Sequence, residues 1–155
     1  MATTPALIRK DIAARLAAVG MREATGPLGA SSEPATVIDR SFDVVMGDDE
    51  DDGQRVVPGV SIRVKQAITV RIAHKVKPRA AGEAQDQSLA DRTAAVRVMF
   101  TRTATGDPRA ATAAQYENTI GYGGATTETH GGGAFLLTTL RFGVVYQLDL
   151  AAGVA

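Results

Sequence analysis

Residues 139–150 read TLRFGVVYQLDL and place Leu140, Phe142, Val144, Tyr146, Leu148 and Leu150 on every second position. Arg141, Gly143, Gln147 and Asp149 fall between them, and Val145 is the one apolar exception. Side chains on a β-strand alternate between two faces, so this period of two predicts a long strand with one buried side. Residues 61–76, SIRVKQAITVRIAHKV, repeat the pattern. Ile62, Val64, Ile68, Val70 and Ile72 point one way, and Arg63, Lys65, Thr69, Arg71 and Lys75 the other. Strands of this length exceed the usual range, and belong in the middle of a sheet or reach beyond the domain to a neighbour.

The rest of the chain is read outward from these two strands. Thr4 followed by Pro5 predicts a helix start, a capping hydroxyl and then a proline where no N–H is needed. Ile8, Ile12, Leu16 and Val19 recur at helical spacing, with Lys10, Ala14 and Ala17 opposite and Gly20 as the stop. Residues 25–36, TGPLGASSEPAT, predict a loop, and 37–45, VIDRSFDVV, a first strand. The run GDDEDDG at 47–53 predicts a loop tip between that strand and the long one from about 59 to 76, because contiguous carboxylates repel. Residues 77–87 read as a polar linker. Over 88–103, Leu89, Thr93, Val96 and Phe100 fit one face of a helix. VRVMFT within it also fits strand alternation, but the alanines and the QSLADR lead-in favour a helix. A third strand falls within 116–127, and THGGGA at 129–134 makes a flexible turn into the last strand.

The predicted order is helix–strand–strand, helix–strand–strand. It describes one α+β domain over residues 1–155, a largely antiparallel sheet of four strands with two helices on one face. At 155 residues, with 45% apolar and 22% charged side chains, one domain can bury a sizeable core. Cysteine is absent, so no disulfide, thiolate metal site or cysteine nucleophile is expected. No apolar run reaches the ~18 residues of a membrane span, and the amino-terminal stretch carries charges where a signal peptide needs apolar residues. The expectation is a soluble protein made in a cytoplasm.

Catalytic motifs are sparse. His130-Gly131-Gly132-Gly133 is a glycine-rich stretch of the kind that supplies oxyanion-hole amides, but no G-x-S-x-G nucleophile elbow accompanies it. Gly121-Tyr122-Gly123-Gly124 lacks the Gly-Lys-Ser/Thr of a phosphate loop. His74 and His130 are the two histidines, and Glu-Thr-His at 128–130 falls short of a metal motif. His74 is expected to end its strand near solvent. No enzyme activity, cofactor or metal is therefore expected. The alternative is a small ligand-binding or enzymatic domain with a pocket lined by Tyr116, Tyr122 and His130.

Charge is the sharper signal. Asp48, Asp49, Glu50, Asp51 and Asp52 are contiguous, whereas a calcium loop alternates its carboxylates. Residues 55–79 carry Arg55, Arg63, Lys65, Arg71, Lys75, Lys77 and Arg79 and no acid, although the net charge of the chain is zero. The acidic tip reads either as solvated or as one pole of a dipole. The basic face bearing Arg63, Lys65, Arg71 and Lys75 would be the other pole, meeting the acids of another copy head to tail. Without interleaved aromatic residues, that basic stretch is not a single-strand nucleic-acid platform.

Taken together, the helix led by ALIRKDIAARLAAVG, the strand hairpin, the mid-chain helix and the glycine-rich turn into TTLRFGVVYQL resemble the tail terminator proteins of long-tailed bacteriophages. The likeness spans nearly the whole chain and rests on element order and on the closing strand. Head–tail connector and tail-completion proteins are close rivals, as is a phage-derived contractile injection device. The linker at 77–87 and the GDDEDDG run have no counterpart in the family pattern. The resemblance implies a subunit of a hexameric ring on the head-proximal end of the tail tube, in the neck of the virion. It would stop tube polymerisation and meet the tail tube protein on one side and the head–tail connector or head completion protein on the other. Genomic DNA would pass through the lumen without specific binding, repelled by the acidic loop if that loop lines it.

Overall fold

The computed structural model describes residues 5–24, 28, 39–52 and 61–149. Its elements run α1 (Pro5–Ala18), β1 (Arg22–Glu23), β2 (Ser41–Asp51), β3 (Ser61–Lys75), α2 (Ala81–Met99), α3 (Ala110–Tyr116), β4 (Gly121–His130) and β5 (Phe135–Asp149). The sheet has the order β1-β2-β3-β5-β4. Its strands are antiparallel except β1, which pairs parallel with β2. The α+β class follows the sequence, but the sheet is mixed with five strands, and three helices replace the expected two. The cap at Thr4, the strand start at 37–38, the hairpin tip from Gly53, Arg55, most of the loop at 25–36 and Leu150 lie outside the described residues.

β3 and β5 form the centre, in unbroken register from Ser61 opposite Asp149 to Lys75 opposite Phe135. Even-numbered side chains of both strands face the helices. Val64, Ile68, Val70, Ile72, Leu140, Phe142, Val144 and Tyr146 are buried in one cluster with Ile8, Ile12 and Leu16 of α1, Ala95 and Met99 of α2, and Tyr116 of α3. Each large apolar side chain buried this way contributes about 1.5–3 kcal/mol. A smaller cluster of Leu28, Ala73, Phe135 and Leu137 covers one end of the other face. The alternation in 61–76 and 139–150 thus sets both the middle of the sheet and the sided core.

Several expectations are corrected. The acidic run is not a loop: β2 continues through Asp51, with a bulge between Met46 and Asp49. A strand sends neighbouring side chains to opposite faces, which separates carboxylates that are adjacent in sequence. The bulge is held by Gln66, whose amide donates to the carbonyl oxygens of Gly47 at 2.6 Å and Ala67 at 3.0 Å.

α2 begins at Ala81, so most of the expected linker at 77–87 is helical. Its Ala, Glu and Gln are good helix formers, and Glu83, Gln85 and Gln87 face solvent. Its buried side is Ala84, Ser88, Asp91, Ala95 and Met99, not the predicted stripe. Small residues let the helix approach the sheet closely, and Ser88 and Thr138 hydroxyls meet at 2.8 Å across the contact.

Tyr116 closes α3 instead of opening a strand, and β4 extends to His130. The turn that follows is a short 3-10 turn with positive φ at Gly131, Gly132 and Gly133 (63°, 69° and 91°), three successive left-handed positions that suit only glycine.

Candidate assembly surfaces

The predicted acidic and basic groups meet within one copy. Glu50 stands opposite Lys65 in the β2–β3 register, with Nζ 4.0 Å from Oε1. Arg63 Nε lies 3.5 Å from Asp52 Oδ2. Arg71 places a two-pronged fork on Asp43, Nε to Oδ1 at 2.9 Å and Nη2 to Oδ2 at 2.5 Å. Asp43 also accepts the Leu28 amide at 3.0 Å. Hydrogen bonding to Asp43 raises the Arg71 pKa further, against burial, so this cation stays charged.

Three of the four predicted basic residues are therefore engaged across the hairpin, in pairs that contribute only about 0–1 kcal/mol where exposed. The Lys75 ammonium forms no ion pair among the described residues, although its backbone N–H donates to Asp39 Oδ1 at 2.8 Å. Asp48 and Asp49 likewise form no ion pair among the described residues. The strand splits the acids: Asp49 and Asp51 stand opposite Gln66 and Val64 on the helix side, and Glu50 stands opposite Lys65 on the open side.

Of the stripe predicted as the inner face of α2, Leu89, Thr93 and Phe100 face outward, and only Val96 reaches the core from its border. Leu89 and Phe100 are 52% and 51% exposed, and Tyr122, at the start of β4, is 43% exposed. Val96, Phe100 and Tyr122 floor a cleft of about 570 Å³ whose rim carries Arg92 and Arg97. Tyr122 packs against Phe142 with ring centroids 5.3 Å apart, so the edge strand is anchored to the core just below the cleft.

On the open face of the sheet lies a second hollow, of about 520 Å³, and none of its lining residues is helical. It follows a row without bulky side chains: Ala67 opposite Gly143, and Gly143 opposite Gly121. A Cβ on Gly47 would sit 3.5 Å from the Ala67 carbonyl oxygen and 3.6 Å from its Cβ, which extends the row into β2. Glu50 and Lys65 line this trough at one end and Arg141 and Gly123 at the other.

Two charged clusters that sequence reasoning missed lie between the layers. His74 is buried, not near solvent, and its Nε2 is 2.7 Å from Asp91 Oδ2. Arg40 donates to both oxygens of Asp91, at 3.0 and 2.9 Å, from a backbone with φ of +56°. Burial opposes ionisation of Asp91, but hydrogen bonds from Arg40 and His74 outweigh it and hold the carboxyl below its ordinary range. His74 Nδ1 is buried without a hydrogen-bond partner.

The second cluster centres on Asp11. Its carboxylate accepts from Arg15 Nε at 3.1 Å, from Arg109 Nη1 at 2.9 Å and from the Tyr116 hydroxyl. Arg15 also donates to the Val98 and Thr101 carbonyls, at 3.2 and 2.8 Å, and to Glu117 at 3.1 Å. Burial, with Asp11 alongside, pushes the Tyr116 hydroxyl well above the usual phenol range. Both clusters join helices to one another or to the sheet. Polar residues on the inner side of α1 and α2, Asp11, Arg15 and Asp91, were the signal available in the sequence.

Tyr116, Tyr122 and His130 share no pocket. Tyr116 is fully buried, and Tyr122 and His130 lie at opposite ends of β4, about 27 Å apart at strand spacing. His130 stacks on Phe135 at 5.7 Å, with Nε2 3.3 Å from Glu128. Among the described residues no group of three or more His, Cys, Asp or Glu side chains could hold a metal, and no helix is long and apolar enough to cross a membrane. Comparison with known protein families and with curated proteins finds no match for this chain.

Proposed function

We propose that this chain is a structural subunit of a phage tail, six copies of which form a ring on the head-proximal end of the tail tube. There it ends tube growth and joins the tail to the head connector, in the neck of the virion. The observation that carries this reading is the outward stripe of α2. Leu89 and Phe100 are more than half exposed, while the inner side of the helix is alanine, serine and aspartate up to Met99 at its end. Large apolar side chains turned to solvent beside an edge strand mark a surface made to be covered. Ring subunits need such surfaces, because heterologous contacts that close by rotation give rings and those with a residual rise give filaments.

The acidic run fits this reading better at a joint between copies than in the lumen. Glu50 and Asp52 are offset by Lys65 and Arg63, which weakens any field they would project onto passing DNA. The test is mass in solution with negative-stain imaging, alone and with the matching tube protein. Rings, or caps on tube ends, are the expected result. A monomer that leaves tube length unchanged overturns the proposal.

A further inference from the structure

We infer that copies of this chain join through opposite edges of the sheet, the outer edge of β2 from Val45 to Asp49 in one copy pairing with β4 in the next. This deepens the assembly reading above and rests on it in taking the partner to be a second copy.

Among the described residues neither edge has a strand partner beyond the short β1 contact. β4 is exposed over most of its ten residues and carries no lysine or proline to discourage pairing at the edge, although a bulge interrupts it between Tyr122 and Gly124. β1 covers β2 only at Ser41 and Phe42, and Arg9 Nε takes the Val44 carbonyl at 3.1 Å. Beyond that point no described strand pairs with this outer edge of β2, and Val45 is 41% exposed. Backbone amides and carbonyls with no strand partner at each edge, apart from the Gly47 and Asp48 carbonyls that Gln66 takes, are a template for another strand.

Direction and register favour a second copy over an unrelated strand. β2, β3, β5 and β4 alternate in direction, so β2 of a copy placed in the same sense runs antiparallel to β4 and continues the sheet. The two edges differ, which makes the contact heterologous and able to close a ring. Met46, Ile68, Phe142 and Tyr122 form one cross-sheet row on the helix side. Extended without stagger, that row sets Met46 of the next copy beside Tyr122, beneath the apolar cleft of α2. The charges then agree: Asp48 and Asp49 arrive on the incoming strand, and Arg92 and Arg97 wait on the rim of the cleft. None of these four side chains has an ion-pair partner of its own among the described residues.

The chain has no cysteine, so single cysteines report the contact directly. Cross-strand neighbours have Cβ atoms ~5 Å apart, close enough for a disulfide after small adjustment. Tyr122→Cys and Met46→Cys proteins, mixed and oxidised alone and with tube ends present, are expected to give a mixed dimer, while neither variant alone gives one. Homodimers of a single variant would mean a two-fold contact and overturn the inference.

Charge exchange is a second readout that does not depend on either apolar site. Arg97→Glu and Asp49→Arg should each weaken self-association about tenfold, and the two mixed together should recover it. Oligomers of unchanged mass that neither cross-link nor respond to the exchange overturn this joint and leave the assembly reading standing. A chain that remains monomeric with and without tubes overturns both.

Discussion

Asp91 lies on the inner side of α2, where a carboxylate without partners would be costly, and three side chains reach it. His74 and Arg40 hold it as above, and Gln87 Nε2 adds a third contact at 3.1 Å. The sign of its pH effect follows from the direction of its shift. A carboxyl whose folded pKa lies below its unfolded value of about 3.9 contributes stability that is complete above pH ~4. That contribution disappears as pH falls through the folded value. Asp91→Asn should therefore cost about 3 kcal/mol at neutral pH, because it leaves His74 and Arg40 facing a neutral amide. It should also flatten the loss of stability below pH 4 relative to the natural chain. Urea unfolding followed between pH 3 and 7 measures both. An unchanged acid limb would assign that limb to other carboxylates.

The long strands were legible and α2 was not, for one physical reason. In β3 and β5 the two faces differ in chemistry at every step, so period and burial coincide. In and just after α2 the large apolar residues Leu89 and Phe100 lie on the side turned away from the core, while its buried side is mostly Ala, Ser and Asp with Met99 at the end, and a rule that sends large apolar residues inward rotates the helix. β1, with two residues, has no period to detect, and β4, rich in glycine and threonine, has little alternation. The acidic run was misplaced because adjacency in sequence was equated with adjacency in space. The inverted helix makes a sharp prediction. Ala95→Leu, on the fully buried side, should destabilise by about 1–3 kcal/mol through overpacking. Phe100→Gln, on the outward side, should change stability by no more than about 0.5 kcal/mol while weakening assembly. Thermal unfolding and mass in solution separate the two. A large loss of stability from Phe100→Gln would return that side chain to the core.

For the molecule as a whole, a net charge of zero conceals two kinds of carboxylate on one strand. Glu50 and Asp52 are opposed by Lys65 and Arg63, whereas Asp48 and Asp49 have no such cation among the described residues. If the run acted as a whole, repelling DNA in a lumen, all five acids would add to one field and the assembled state would not depend on them. If it acts at a joint, the two uncompensated acids matter most, and their effect is screened by salt within a Debye length of ~8 Å at physiological ionic strength. Asp48→Asn with Asp49→Asn should then reduce assembly at low salt, and 0.5 M salt should produce a similar loss in the natural chain. Glu50→Gln with Asp52→Asn should leave assembly unchanged and cost no more than about 1 kcal/mol in stability. Sedimentation at two salt concentrations reads all of these. Rings that form normally with all five acids neutralised, but pass DNA more slowly, would move the run from the joint to the lumen.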